Sequence, residues 1–267
     1  MRIHVAPPSG VERIASAFVD SGKRAAFMPY LMGGFPDLMT SRGIGEAYAA
    51  AGADLIELGV PFSDPLADGP VIQAAGTAAL EAGATVDDVL RIGGALGSSV
   101  PVVAMVYANV VLARGPEAFA RDLAASGIAG LIVPDLPMEE APAVLAACDA
   151  EGVALVPLVA PTTTDERLVE IGARARGFVY TVSVTGTTGE RNALDGLAAV
   201  VARARAHAAV PVAVGFGIST PEPAAAAAAV GADGVIVGSR LVRAAAEADD
   251  PPGAVAGLVG QFAAALR

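Results

Sequence analysis

Eight short apolar or β-branched runs recur along the chain, and each is followed by a stretch carrying helix signals. They occupy residues 26–31, 54–60, 102–107, 130–133, 154–159, 177–182, 212–215 and 234–237, most of them beginning 20 to 35 residues after the one before. That period suits repeated strand–helix units and a parallel sheet. Ser9 with Glu12, and Thr85 with Asp88, read as capping boxes; behind the first, Val11, Ile14, Ala15, Phe18 and Val19 recur at helical spacing. Pro116 and Pro221 stand where a first helical residue belongs, and Gly127 and Gly152 where helices stop. The alanine run over 224–229 fills another helix slot. Eight such units behind one extra N-terminal helix predict a (β/α)8 TIM barrel. An open doubly wound sheet has the same repeat, because counting units does not show closure. The first turn, Gly33-Gly34-Phe35-Pro36, lacks the G-x-G-x-x-G spacing of a dinucleotide site. No Pro/Ser-rich linker divides the chain, so residues 1–267 read as a single TIM-barrel domain.

The composition excludes several function classes. Apolar residues make up 54% and charged ones 17% of the chain, enough for a large core. No apolar run approaches the ~18 residues of a membrane span, and no secretory signal is visible at the start. One cysteine, Cys148, permits no internal disulfide and suits a reducing compartment. A net charge of −11 without a basic stripe argues against nucleic acid. The expectation is a soluble, cytoplasmic protein with no nucleic-acid or membrane partner.

In a barrel of this kind reactive groups gather at the carboxyl ends of the strands. Those ends are Tyr30, Glu57, Tyr107, Asp135, Tyr180, Gly215 to Gly217, and Gly238 with Ser239, joined by Asp68 on the loop after the second strand. Glu57 sits inside an otherwise apolar run, and Ser63, Asp64 and Asp68 follow on a Gly/Pro-rich loop. A carboxylate buried without a partner costs several kcal/mol or takes up a proton. Glu57 is therefore an acid–base group or half of a structural ion pair with an arginine. Asp68 either joins the chemistry or caps a turn. The glycines after the seventh and eighth strands, the latter opening a helix, stand where barrels of this type bind phosphate. The plainer alternative is that they make tight turns. The loop over 183–189 has the glycines and hydroxyls of a lid, or of an ordinary mobile loop.

What is missing narrows the chemistry further. The only lysine, Lys23, precedes the first strand, so a Schiff-base route is closed. The two histidines, His4 and His207, lie away from strand ends, which leaves no His-based metal site. Cys148 reads as helix packing. Any bond broken here is handled by carboxylates, helped at most by tyrosines.

The run Glu57-Leu-Gly-Val-Pro-Phe-Ser-Asp-Pro-Leu-Ala-Asp-Gly-Pro70 resembles the signature of the tryptophan synthase α subunit family almost residue for residue. The segments 105–109, 133–137, 180–189, 215–219 and 237–239 continue the resemblance in the family's order and spacing. It implies a (β/α)8 lyase of tryptophan biosynthesis that cleaves indole-3-glycerol phosphate to indole and glyceraldehyde 3-phosphate by a reversible retro-aldol reaction, without metal or cofactor in this chain. By resemblance, Glu57 serves protonation of indole C3 and Asp68 holds the indole N–H. Tyr30, Met105, Tyr107, Ile132 and Tyr180 would line the indole pocket. Gly189, Gly217, Gly238 and Ser239 would hold phosphate, with Thr188 on the closing loop near Asp68. Phe62, Asp64 and Pro65 resemble the segment that touches a pyridoxal-phosphate-dependent β subunit in an α2β2 assembly, to which indole passes. Tyr30 stands where many bacterial relatives carry phenylalanine, and Val184 where some carry a basic lid residue. Two further readings stay open: a non-catalytic activator of a β-type partner, against which intact Glu57 and Asp68 count, and another phosphate-binding barrel enzyme, such as a synthase dependent on a pocket lysine this chain lacks.

Overall fold

The computed structural model describes residues 7–182, 190–215 and 217–267, with backbone alone over 190–195. The chain opens with helix α1 (Gly10–Asp20), whose capping box forms as the sequence indicates. Glu12 N–H donates to the Ser9 hydroxyl at 3.3 Å, and Ser9 N–H donates to the Glu12 carboxylate at 2.8 Å. Then follow β1 (Ala26–Met32), α2 (Leu38–Ala50), β2 (Ile56–Gly59), α3 (Pro70–Glu81), α4 (Val86–Gly97), β3 (Val102–Met105), α5 (Ala108–Arg114), α6 (Pro116–Ala125), β4 (Gly130–Ile132) and α7 (Pro142–Ala150). The second half comprises β5 (Ala154–Val156), β6 (Leu158–Val159), α8 (Asp165–Arg174), β7 (Val179–Val182), α9 (Glu190–His207), β8 (Val212–Gly215), α10 (Pro221–Ala229), β9 (Gly234–Val237), α11 (Ser239–Glu247) and α12 (Pro251–Ala265).

All strand pairings are parallel, in the order β5-β4-β3-β2-β1-β9-β8-β7-β6. The run over 154–159, read from sequence as one strand, is two, because Pro157 has no N–H to give to a ladder. Its carbonyl still accepts the Tyr180 N–H at 2.9 Å. The two ends of the sheet are thus consecutive pieces of one chain segment, and the barrel closes through Pro157. The open-sheet alternative fails on that point.

Alternation along each strand separates two apolar layers. Phe27, Leu31, Ile56, Leu58, Ala104, Leu131, Val214 and Val235 face the helices. Met28, Leu55, Val103, Ile132, Val156, Phe178, Ala213 and Ile236 fill the lumen. A fully buried side chain of the Phe27 or Phe178 size contributes roughly 1.5–3 kcal/mol. The extra helix α1 stoppers the amino end of this lumen. Ile14 belongs to the lumen cluster, and Phe18 packs on Phe178 with ring centres 5.8 Å apart. Gly130 and Gly177 leave room for it, since a Cβ on either would come within 3.1–3.2 Å of the Ile14 Cδ1. Arg13 fastens the helix by donating to the carbonyls of Gly127 and Gly97. At the same amino-terminal rim Lys23 pairs with Asp54 at 2.7 Å, far from the opposite mouth.

Candidate active site

Strand β2 carries Glu57 into the lumen because its neighbours Ile56 and Leu58 both belong to the helix-facing layer. It stands in register with Tyr30 of β1 and Val103 of β3. The residue is 2% exposed, and among the described residues its Oε2 has no hydrogen-bond partner. Among the described residues no arginine pairs with it, so the ion-pair alternative is not realised there. Burial, reinforced by the negative charge of Asp68, raises the Glu57 carboxyl to about 8. Such a group stays protonated near neutral pH and can donate.

Asp68 lies half-buried on the β2–α3 loop. Burial raises its pKa, while the Tyr107 hydroxyl acts in the opposite direction. The hold on this loop was not legible in the sequence. Ala67 N–H donates to the Tyr107 hydroxyl at 3.0 Å, and Asp68 N–H donates to the Pro65 carbonyl at 3.3 Å. The Phe62 ring stacks on Tyr107 with centres 5.2 Å apart and planes 25° from parallel. Further out, Ser63, Asp64 and Leu66 are exposed, while Phe62 and Pro65 are half-buried.

The mouth is lined as its alternation dictates. Met105 and Ile132 stand abreast at the ends of β3 and β4. Tyr30 on β1 and Tyr180 on β7 repeat one arrangement with two strands between them. Each pairs with a residue of the next strand, Glu57 or Ala213, that lies two positions before a glycine. A Cβ on Gly59 would fall 2.0 Å from the Tyr30 hydroxyl, and one on Gly215 2.2 Å from the Tyr180 hydroxyl. Both glycines are required by the phenols beside them, a need that only the register reveals. Burial and then nearby carboxylates push both phenols well above their ordinary range, so they remain donors.

Gly238 caps α11 without a side-chain bond, and a Cβ there would meet nothing closer than 3.5 Å. Ser239 opens that helix and is exposed, as is Gly217 after β8. The first N–H groups of a helix have no partner within the helix, so this end can receive an anion. Thr188 and Gly189, with the rest of the lid segment, lie outside the described residues. Asp135, another strand-end acid, caps α5 instead, accepting the Ala108 N–H at 2.8 Å.

A separate cavity of about 800 Å³ opens on the outside of the barrel between α7 and α8. Of its charged lining residues, Arg167 pairs with Glu139 and Asp149 with Arg176, while Arg174 donates to the Met138 carbonyl at 3.2 Å. The carboxyl group whose Oε2 lacks a partner among the described residues lies instead at the mouth.

The family model for the tryptophan synthase alpha chain matches residues 17–262. The chain belongs to the tryptophan synthase alpha chain family. A relative from Prochlorococcus marinus, a tryptophan synthase alpha chain, is 47% identical, with 98% of this chain and 97% of that one covered. A solved tryptophan synthase from Mycobacterium tuberculosis superposes with a TM-score of 0.88 at 40% identity, covering 98% of this chain and 99% of that one. The tryptophan synthase subunit alpha of Legionella pneumophila gives 0.88 at 34% identity, covering 97% and 99%. Tryptophan synthase alpha chains are carbon–carbon lyases of tryptophan biosynthesis that release indole from indole-3-glycerol phosphate, and this chain is such a lyase. In the family pyridoxal phosphate belongs to the β subunit. No helix among the described residues is long and apolar enough to cross a membrane, and no cluster of three or more acidic, His or Cys side chains there could hold a metal.

Proposed function

We propose that the barrel mouth binds indole-3-glycerol phosphate with Glu57 and Asp68 as the catalytic pair. Glu57, protonated at neutral pH, gives its proton to indole C3, and the ring becomes an indolenine. The Asp68 carboxylate accepts the indole N–H and offsets the positive charge growing on that nitrogen. The Glu57 carboxylate so formed takes the proton of the glycerol hydroxyl next to the scissile bond. The C–C bond then breaks, its electron pair returns to the ring, and indole leaves beside glyceraldehyde 3-phosphate. Glu57 ends protonated, as it began. Tyr30, Met105, Tyr107, Ile132 and Tyr180 enclose the ring. Gly217, Gly238 and Ser239 hold the phosphate, with Thr188 and Gly189 closing over it.

The observation that carries this reading is a carboxyl group buried in the lumen of a closed barrel, its Oε2 without a partner among the described residues, and raised to about 8 by burial and the charge of Asp68. Indole passes to a β subunit docked against Phe62, Asp64 and Pro65 in an α2β2 complex in the cytoplasm. Exposed Leu66 beside them, at 91%, supports docking there. Purified Glu57→Gln is expected to fold and bind the β subunit yet release indole at least a hundredfold more slowly than wild type, as loss of a general acid–base group costs roughly 10²–10⁴. Equal rates would remove Glu57 from the reaction.

A further inference from the structure

The Tyr30 hydroxyl lies inside the mouth with a weak partner. Among the described residues its hydrogen bond goes to the Met32 sulfur at 3.9 Å, and a thioether is a poor acceptor. The residue is 5% exposed. Its ring is also held in place. Strand β1 is paired on both edges, and the Tyr30 carbonyl accepts the Tyr48 hydroxyl at 3.2 Å. The hydroxyl itself abuts the Gly59 backbone, where even a methyl group would lie 2.0 Å away. Tyr30 stands in register with Glu57 of the next strand, which puts the phenol on the wall of the mouth beside that carboxyl group. A fixed, poorly satisfied hydroxyl thus borders the space that, on the function proposed above, receives the indole ring.

Such a group prefers one kind of ligand. A ligand's polar group recovers the free energy of a buried hydroxyl with a poor partner, and an apolar group of equal size does not. A purely apolar wall, by contrast, separates isosteres weakly. We infer that Tyr30 is a specificity-determining residue whose hydroxyl selects, among ring-substituted indoles, those bearing a hydrogen-bonding group over apolar isosteres at the same ring carbon. This inference rests on the mouth being the indole site.

The test uses the reverse reaction, condensation with glyceraldehyde 3-phosphate, on matched hydroxyindole and methylindole pairs at each carbon of the benzo ring. The readout is the ratio of kcat/KM for hydroxy over methyl, in wild type and in Tyr30→Phe. Being a ratio, it does not depend on how much of the variant folds. At one ring carbon or more, the wild-type ratio should exceed that of the variant by roughly five- to tenfold, the worth of one ordinary hydrogen bond. Ratios agreeing within about twofold at every carbon overturn the inference while wild type still condenses unsubstituted indole. No condensation of indole by wild type, even with a β subunit added, overturns the underlying lyase site as well.

Discussion

At the scale of single residues, Glu57 links stability to pH as well as to chemistry. Its folded value of about 8 lies above the ordinary 4.5 of an unfolded chain. Between those values the folded protein keeps a proton that the unfolded chain has released, so stability falls as pH rises through that window. Glutamine at this position has no such dependence. The stability advantage of Glu57→Gln over wild type should therefore grow between pH 5 and pH 8, by on the order of a few kcal/mol. Urea unfolding of both proteins at the two pH values checks it, and a constant difference would show that the site does not hold Glu57 protonated. The sequence already marks Glu57 as anomalous, since a carboxylate interrupts an apolar run. It does not reveal that no arginine among the described residues pairs with it, because pairing depends on residues far away in the chain.

At the scale of elements, the β2–α3 loop depends on β3. Tyr107, two residues past that strand at the N-cap of α5, accepts the Ala67 N–H and carries the Phe62 ring, so Asp68 is placed from a neighbouring unit of the barrel. Tyr107→Phe keeps the stack and removes the acceptor, a loss of about 1 kcal/mol at the loop. Hydrogen exchange at the Ala67 amide should speed up and kcat for indole release should fall by roughly tenfold, with global unfolding changed by no more than about 1 kcal/mol. Unaltered Ala67 exchange would mean that the loop holds Asp68 by itself. Helix starts and stops were readable locally, because caps depend on residues three or four apart. Both capping boxes, the proline starts and the glycine stops fall where the sequence puts them. The division of the fifth strand at Pro157 was also written in the sequence, as a proline inside an apolar run, and the strand pattern concealed it.

At the scale of the whole molecule, closure makes the units interdependent. Helix α1 stoppers the lumen from the amino end, and α12 packs Phe262 against Phe27 of β1 with ring centres 5.6 Å apart. We propose that residues 1–267 unfold as one domain, so far-UV and near-UV circular dichroism should report a single coincident thermal transition. Ile14→Ala, which empties the stopper, should cost roughly 2–5 kcal/mol and lower both signals together. A separate early transition would mean that α1 is an accessory to an independently stable barrel. The sequence by itself determined the strand–helix repeat, the helix caps and the residue types available for catalysis, because periodicity, capping and composition act over a few residues. Tertiary structure alone decided closure through Pro157, the seating of Tyr30 and Tyr180 over Gly59 and Gly215, and the burial of Glu57 between Tyr30 and Val103. Each of these is a relation across strands, set by register and by the exclusion of water from a lumen that exists only once the chain has folded around it.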